Sequence, residues 1–123
     1  MKKMSATRVT ALLAAGALAL SLSGTSLAAK QTVKATAANT WNPDYVHITK
    51  GDRVIWKNPA RHNTPHDVWS YGGNWKKRVS LEPGERTAKR FKRKGSFKYR
   101  CRIHSSLNDG VCSGMCGRVH VGR

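Results

Sequence analysis

Acidic residues are scarce in this sequence, and so are the features of an enzyme. The 123 residues include six Asp and Glu against 23 Lys and Arg, which gives a formal net charge of +17. No pair of carboxylates and no nucleophile beside a general base stands out, so the sequence predicts a protein that is not an enzyme. Internal repeats and low-complexity tracts are also missing, and the length suits one small domain.

The chain also lacks an apolar run long enough to cross a membrane. Residues 1–8 contain three basic side chains, residues 9–22 are mostly apolar, and Ser26-Leu27-Ala28 offers the small residues that an export peptidase recognises. This run is shorter than a transmembrane helix requires, and the order of its parts is that of a secretory signal peptide. We therefore predict a cleaved signal over residues 1–28 and a secreted or periplasmic domain over residues 29–123.

The predicted mature domain remains strongly basic. Its net charge is +14, because the signal holds three of the basic residues and none of the acidic ones. In a cytoplasmic protein this charge would favour nucleic acid, but export argues against such a partner. We expect a monomer without stable membrane insertion that meets an acidic protein, an anionic wall polymer or an anionic membrane surface. The alternative is a basic surface that serves solubility alone.

Helical hydrophobic periodicity is absent beyond the N-terminal segment, whereas two-residue alternation recurs. Residues 53–57, 96–100 and 117–121 each place apolar side chains on one face, as half-buried strands do. Turn residues such as Lys50-Gly51-Asp52 and Glu82-Pro83-Gly84-Glu85 separate such segments. Seven or eight short strands in about 95 residues predict an all-β antiparallel sandwich.

The sequence has three cysteines, an odd number for an exported chain. One pair can form a disulfide, and the remaining thiol would oxidise outside the cell unless something such as a metal ion occupies it. Cys101 and His104 stand at the end of a predicted strand, and Met115 follows in the same segment. His66 begins another strand far upstream. Thiolate, imidazole and thioether are ligands that select copper over hard cations.

Six short motifs occur in the order in which the blue copper proteins have them. They cover nearly all of the mature chain, namely Lys50–Asn58, Pro65–Val68, Leu81–Glu85, Gly95–Cys101, Ile103-His104 and Gly114–Val119. The sequence therefore resembles the cupredoxin family. This resemblance implies a Greek-key sandwich or barrel of about eight strands that holds one copper ion per chain. It also implies that the four copper ligands are His66, Cys101, His104 and Met115.

The same resemblance implies a type 1 copper protein that carries single electrons to and from an acidic redox partner. Four protein ligands would leave the copper no open position for a substrate, which agrees with the lack of catalytic motifs. His104 would be the exit for the electron, with Pro65, Ile103 and Leu107 around it. The alternative is a periplasmic or secreted protein that sequesters or delivers copper with the same ligands.

Two departures from the family pattern occur near these ligands. Ten residues, 105–114, separate His104 from Met115, and we interpret them as a lengthened polar ligand loop with Asn108-Asp109-Gly110 as its turn. Asp67 stands where many members of the family have Asn. Since a carboxylate accepts hydrogen bonds but cannot donate them, we expect a different tie between the two ligand loops.

The other two cysteines, Cys112 and Cys116, are predicted to form a disulfide that holds the lengthened loop. Cysteines four positions apart in a turn can reach bonding distance, and this pairing leaves Cys101 as the free thiol. The rival interpretation is a dinuclear copper centre built on Cys112, Cys116 and His120. It ranks lower because Arg123 stands where that centre needs a methionine, and because strand alternation turns His120 outward.

Overall fold

The computed structural model of the protein describes residues 27–123, which form nine β-strands and one short 3-10 turn. The predicted signal peptide, residues 1–28, therefore lies almost entirely outside the described residues. Between residues 27 and 123, no helix is long and apolar enough to cross a membrane. The strands are β1 (Lys30–Ala35), β2 (Trp41–Asn42), β3 (Tyr45–Thr49), β4 (Arg53–Lys57), β5 (His66–Tyr71), β6 (Arg78–Leu81), β7 (Arg86–Arg90), β8 (Gly95–Asn108) and β9 (Val111–Gly122).

Two mixed sheets enclose the core. One has four strands in the order β2-β1-β4-β7, and the other has five in the order β3-β9-β8-β5-β6. The predicted all-β sandwich is confirmed, with two differences in detail. The two-residue strand β2 raises the count to nine. It was not predicted because so short a strand shows no alternation in sequence. Two pairs, β1 with β4 and β3 with β9, are parallel rather than antiparallel. The sequence could not predict this, because alternation reveals the face of a residue but not the direction of its neighbouring strand.

The inward-facing residues of β4, β8 and β9 supply the centre of the core. Trp56, Tyr99 and Val119 are fully enclosed, and burial of each large apolar side chain stabilises the fold by about 1.5–3 kcal/mol. Cys101 continues the buried face of β8, and Met115 continues that of β9. The two sulfur-bearing side chains are therefore extensions of the core rather than parts of a surface loop.

Strands β8 and β9 form one long hairpin that is interrupted once. Their ladder runs from the Gly95–Val121 pair to Arg100–Cys116, breaks, and resumes from Ser105–Gly114 to Asn108–Val111. The turn residues Asp109 and Gly110 have φ values of +50° and +78°, as the two central residues of a type I′ turn require. The turn lies where it was predicted. However, residues 105–114 form a two-stranded β-ribbon rather than the predicted loop. These strands were not predicted because a polar ribbon shows no hydrophobic alternation in its sequence.

Candidate metal centre

A bulge in β8 carries two of the predicted ligands. Residues 101–104 have no ladder partner, and they stand opposite the single residue Met115 of β9. This arrangement turns the chain so that Cys101 faces the core while His104 follows at its edge. Gly114 makes it possible, because its φ is +104° and a Cβ there would overlap the carbonyl oxygen of His104 and approach Cα of Ser105 to 3.0 Å.

The bulge brings its two donors to the third, His66, at the start of β5. The Sγ of Cys101 is 3.7 Å from Nδ1 of His66 and 3.6 Å from Nδ1 of His104. All three donor atoms lie within 4.8 Å of one another, and among residues 27–123 this is the group of three or more His, Cys, Asp or Glu side chains placed to hold a metal ion. His66 and Cys101 are buried, and His104 is half-buried.

The two sulfur–nitrogen separations fit a single metal ion. Metal–nitrogen and metal–sulfur bonds of about 2.0–2.3 Å, at angles between tetrahedral and trigonal, place sulfur and nitrogen about 3.5–3.8 Å apart. The measured distances from Cys101 to His66 and His104 lie in that interval. One thiolate and two imidazoles suit copper or zinc and not magnesium or calcium, so the chemistry of the donors agrees with their spacing.

Met115, the fourth predicted ligand, is fully buried. Its chain neighbours Gly114 and Cys116 pair with Ser105 and Arg100, the residues that border the bulge. The thioether therefore belongs to the one residue of β9 that faces the gap in the ladder. The ribbon fixes this position, whereas a flexible loop would have left Met115 free to move.

Burial also sets the protonation state of His66. Its pKa lies below the usual value, first because the ring is removed from water, and then because His104 and His62 oppose a positive charge there, while Asp67 acts in the other direction. A lowered pKa keeps the imidazole neutral at physiological pH. The neutral ring is the form that binds a metal ion.

Asp67 ties β5 to the bulge through Arg102. Its Oδ1 accepts a hydrogen bond from the backbone N–H of Arg102 at 2.8 Å, and its Oδ2 accepts one from Nε of the same residue at 2.9 Å. The backbone N–H of Asp67 also points at Sγ of Cys101, 3.4 Å away. The carboxylate is almost fully buried, and a buried charge needs such partners.

Arg102 is a residue of the candidate site that the sequence did not predict. Its guanidinium carbon also lies 3.2 Å from the centre of the Trp69 ring, which keeps the side chain over the sheet. A signal was present, since an acidic residue beside the predicted ligand His66 calls for a cation, and Arg102 directly follows the predicted ligand Cys101. The connection between the two ligand loops, which was expected to differ from the usual Asn, is thus a carboxylate of Asp67 that accepts hydrogen bonds from Arg102.

The predicted disulfide is present between Cys112 and Cys116, whose Cα atoms are 6.1 Å apart. Four residues of extended strand would span about 13 Å, so β9 bends sharply over residues 113–115. The sulfur atoms are bonded to each other and cannot serve a dinuclear centre with His120, which removes the rival interpretation. Cys101 is left as the free, buried cysteine.

The surface next to His104 is partly apolar. Ile103 is 55% exposed and adjoins the half-buried His104. Leu107, expected around the same histidine, lines a groove on the outer face of the sheet with Trp69 and Tyr71. Ile103 is therefore the apolar side chain of the bulge itself that reaches the surface beside His104.

Several solved structures have a similar fold. A purple cupredoxin from Nitrosopumilus maritimus is 23% identical with a TM-score of 0.57, over 75% of this chain and 99% of that one. A reduced amicyanin mutant is 21% identical with a TM-score of 0.61, over 76% and 82% of the two chains. A copper-containing nitrite reductase from Thermus scotoductus is 22% identical with a TM-score of 0.59, over 76% of this chain and 22% of that one. No family model and no curated protein matches the chain.

Proposed function

We propose, from the cupredoxin fold that these similarities show, that the protein is an exported type 1 copper protein that carries single electrons between redox partners. The observation that carries this proposal is the cluster of one thiol and two imidazoles, two of the three residues buried, with donor atoms within 4.8 Å of one another. His66, Cys101 and His104 would bind one copper ion per chain in a trigonal arrangement. Met115 would supply the weak axial contact typical of such sites.

The rigidity of the donors supports electron transfer. Copper that changes by one electron works best where its ligands need not move, and here β-ladders and the Cys112–Cys116 disulfide hold the chain on both sides of the bulge. Three strong donors, two of them buried, and an axial contact from the buried Met115 would leave no open position for a substrate. We therefore propose a carrier rather than an enzyme, since the similarity to the nitrite reductase extends over 22% of that chain.

The residues around the donors prepare them for the metal. The thiol of Cys101 must lose its proton to bind a metal ion, and its Sγ lies 3.4 Å from the backbone N–H of Asp67. The lowered pKa of His66 leaves its ring neutral. When bound, copper supplies the electron that is exchanged. The half-buried His104, next to the exposed Ile103, would be the exit for the electron to a partner.

The partner is proposed to be an acidic redox protein. The domain over residues 29–123 has a net charge of +14, and complementary charge accelerates encounter more than it increases affinity. The rate of electron transfer should therefore fall as salt is added. Export to the periplasm or the exterior rests on the predicted signal over residues 1–28.

The alternative is a protein that sequesters or delivers copper. A copper titration separates this function from electron transfer. Wild-type protein loaded with Cu(II) should bind one ion per chain and show the intense visible band of thiolate-to-copper charge transfer. Cys101→Ser should lose the band, while the control His62→Gln should keep it. A colourless protein that retains only Cu(I) would favour delivery, and a wild type that takes up no copper would contradict both functions.

A further inference from the structure

A second pair of imidazoles lies on the outer face of the five-stranded sheet. His47 of β3 and His120 of β9 are direct partners in the parallel register. Their ring centroids are 4.8 Å apart with an interplanar angle of 83°. His47 is exposed and His120 is half-buried. Neither side chain belongs to the copper site proposed above.

The space beside both rings is left open by a glycine. Gly122 is the next residue on the same face of β9, and a Cβ there would lie 3.0 Å from Nε2 of His47 and 3.7 Å from Nε2 of His120. Both Nε2 atoms therefore border one small space that a side chain would fill. The φ of Gly122 is outside the left-handed region, so the backbone itself does not require glycine at this position.

This pair is separate from the buried donors. His120 follows Met115 by five positions, which corresponds to about 16 Å along a strand. Met115 faces the core, whereas His120 is on the opposite face of β9. The pair can therefore gain or lose a ligand without changing the first site.

We propose that His47 and His120 bind a divalent copper ion through their Nε2 atoms, with water completing the coordination. Imidazole suits Cu(II), Zn(II) and Ni(II), and Cu(II) has the highest affinity of the divalent first-row ions for such a site. Bonds of about 2.0 Å would place the two nitrogens about 3–4 Å apart. Small rotations of two surface rings with centroids 4.8 Å apart reach that separation.

The test is a Cu(II) titration followed by electron paramagnetic resonance. Full-length protein carrying one copper per chain should take up a second equivalent. That ion should give a tetragonal, nitrogen-coupled signal while the thiolate band stays unchanged. His47→Gln and His120→Gln should each weaken this uptake at least tenfold, and His62→Gln should not. In a Cys101→Ser background the loss of uptake on His47→Gln and His120→Gln should be the same, so the result does not depend on the thiolate site.

Gly122→Ala provides a variant that retains both imidazoles. Its methyl group should occupy the space beside the two Nε2 atoms and weaken the uptake of the second copper ion severalfold. The thermal stability of Gly122→Ala should be no lower than that of His47→Gln or His120→Gln. Uptake equal to wild type in both His47→Gln and His120→Gln would overturn the proposal. The absence of any second uptake by the wild type would overturn it as well.

Discussion

The two halves of the β8–β9 hairpin are both antiparallel ladders, but different interactions stabilise them. From Gly95–Val121 to Arg100–Cys116, the strands lie in the sheet and bury apolar side chains against the opposite layer. From Ser105–Gly114 to Asn108–Val111, they form a polar two-stranded ribbon without a core of its own. An isolated hairpin is marginally stable in water, so the ribbon depends on local devices.

The proposed metal site lies at the junction of these halves. Four residues of β8, 101–104, stand opposite one residue of β9, and this mismatch turns a continuous strand into a bulge that carries two of the proposed ligands. The comparison shows that the sheet half positions Cys101 by core packing. The ribbon half keeps the far side of the bulge closed through Gly114 and the disulfide.

The largest effect is expected for Gly114→Val, which should prevent closure of the junction. The new side chain would overlap the backbone of His104, and the residue has a φ of +104°. Strain and overlap together should cost about 3 kcal/mol or more. Chemical denaturation should show this loss, and the visible copper band should disappear. A Gly114→Val protein that kept the band would contradict the role assigned to the junction.

Opening the disulfide should loosen the ribbon but spare the sheet half. A bridge that closes so short a loop contributes about 2 kcal/mol in the chain-entropy model, so Cys112→Ser with Cys116→Ser should lower stability by that amount. Amide exchange should rise over residues 105–114 and remain slow over residues 95–100. Equal exchange in both halves would show that they do not differ in support.

Asp67→Asn should alter the site from the β5 side. It removes a buried negative charge whose Oδ2 accepts from Arg102 Nε at 2.9 Å, and a lost charged hydrogen bond costs about 1.5–3 kcal/mol. Because Arg102 is 43% exposed, solvent screening should reduce the loss to about 1 kcal/mol. The reduction potential should rise by about 50 mV, since less negative charge favours Cu(I) and 59 mV is tenfold for one electron.

The matched control for that change is Arg102→Gln, which should shift the potential in the opposite direction. Asp67 would then be left without its cation, and its charge would stabilise Cu(II). Cyclic voltammetry on both variants measures the two shifts. Movement in the same direction in both variants would exclude an electrostatic role for the pair.

The smallest effect is expected at the tip of the ribbon. Gly110 has a φ of +78°, but nothing lies within 4 Å of a Cβ at this position. Gly110→Ala should therefore cost about 1 kcal/mol from backbone strain alone. The copper band should be unchanged, in contrast to Gly114→Val. A loss of the band in Gly110→Ala would mean that the tip, and not only the junction, supports the site.

The sequence was sufficient for those features that depend on short spacing. Cys101 and His104 are close in the chain, so one bulge can present both. The four-residue spacing of Cys112 and Cys116 predicted their disulfide, which the structure contains, and the odd cysteine count agreed with it. The Asn108-Asp109-Gly110 composition located the turn, because few residues tolerate positive φ.

Features that depend on tertiary contacts could not be predicted in the same way. The ribbon over residues 105–114 buries little, so it carries no hydrophobic period. The ion pair of Asp67 with Arg102 joins residues 35 positions apart. An acidic residue beside His66 calls for a cation, but no local pattern identifies Arg102 as that cation. The need for glycine at position 114 arises only when the backbone of His104 is placed against it.

X-ray absorption at the copper edge tests the central claim most directly. In protein loaded with one copper per chain, the account predicts one short sulfur bond and two nitrogen bonds, all at about 2.0–2.3 Å. These should reduce to a nitrogen- and oxygen-only shell in Cys101→Ser. A wild-type spectrum without a short copper–sulfur bond would contradict a site built on His66, Cys101 and His104.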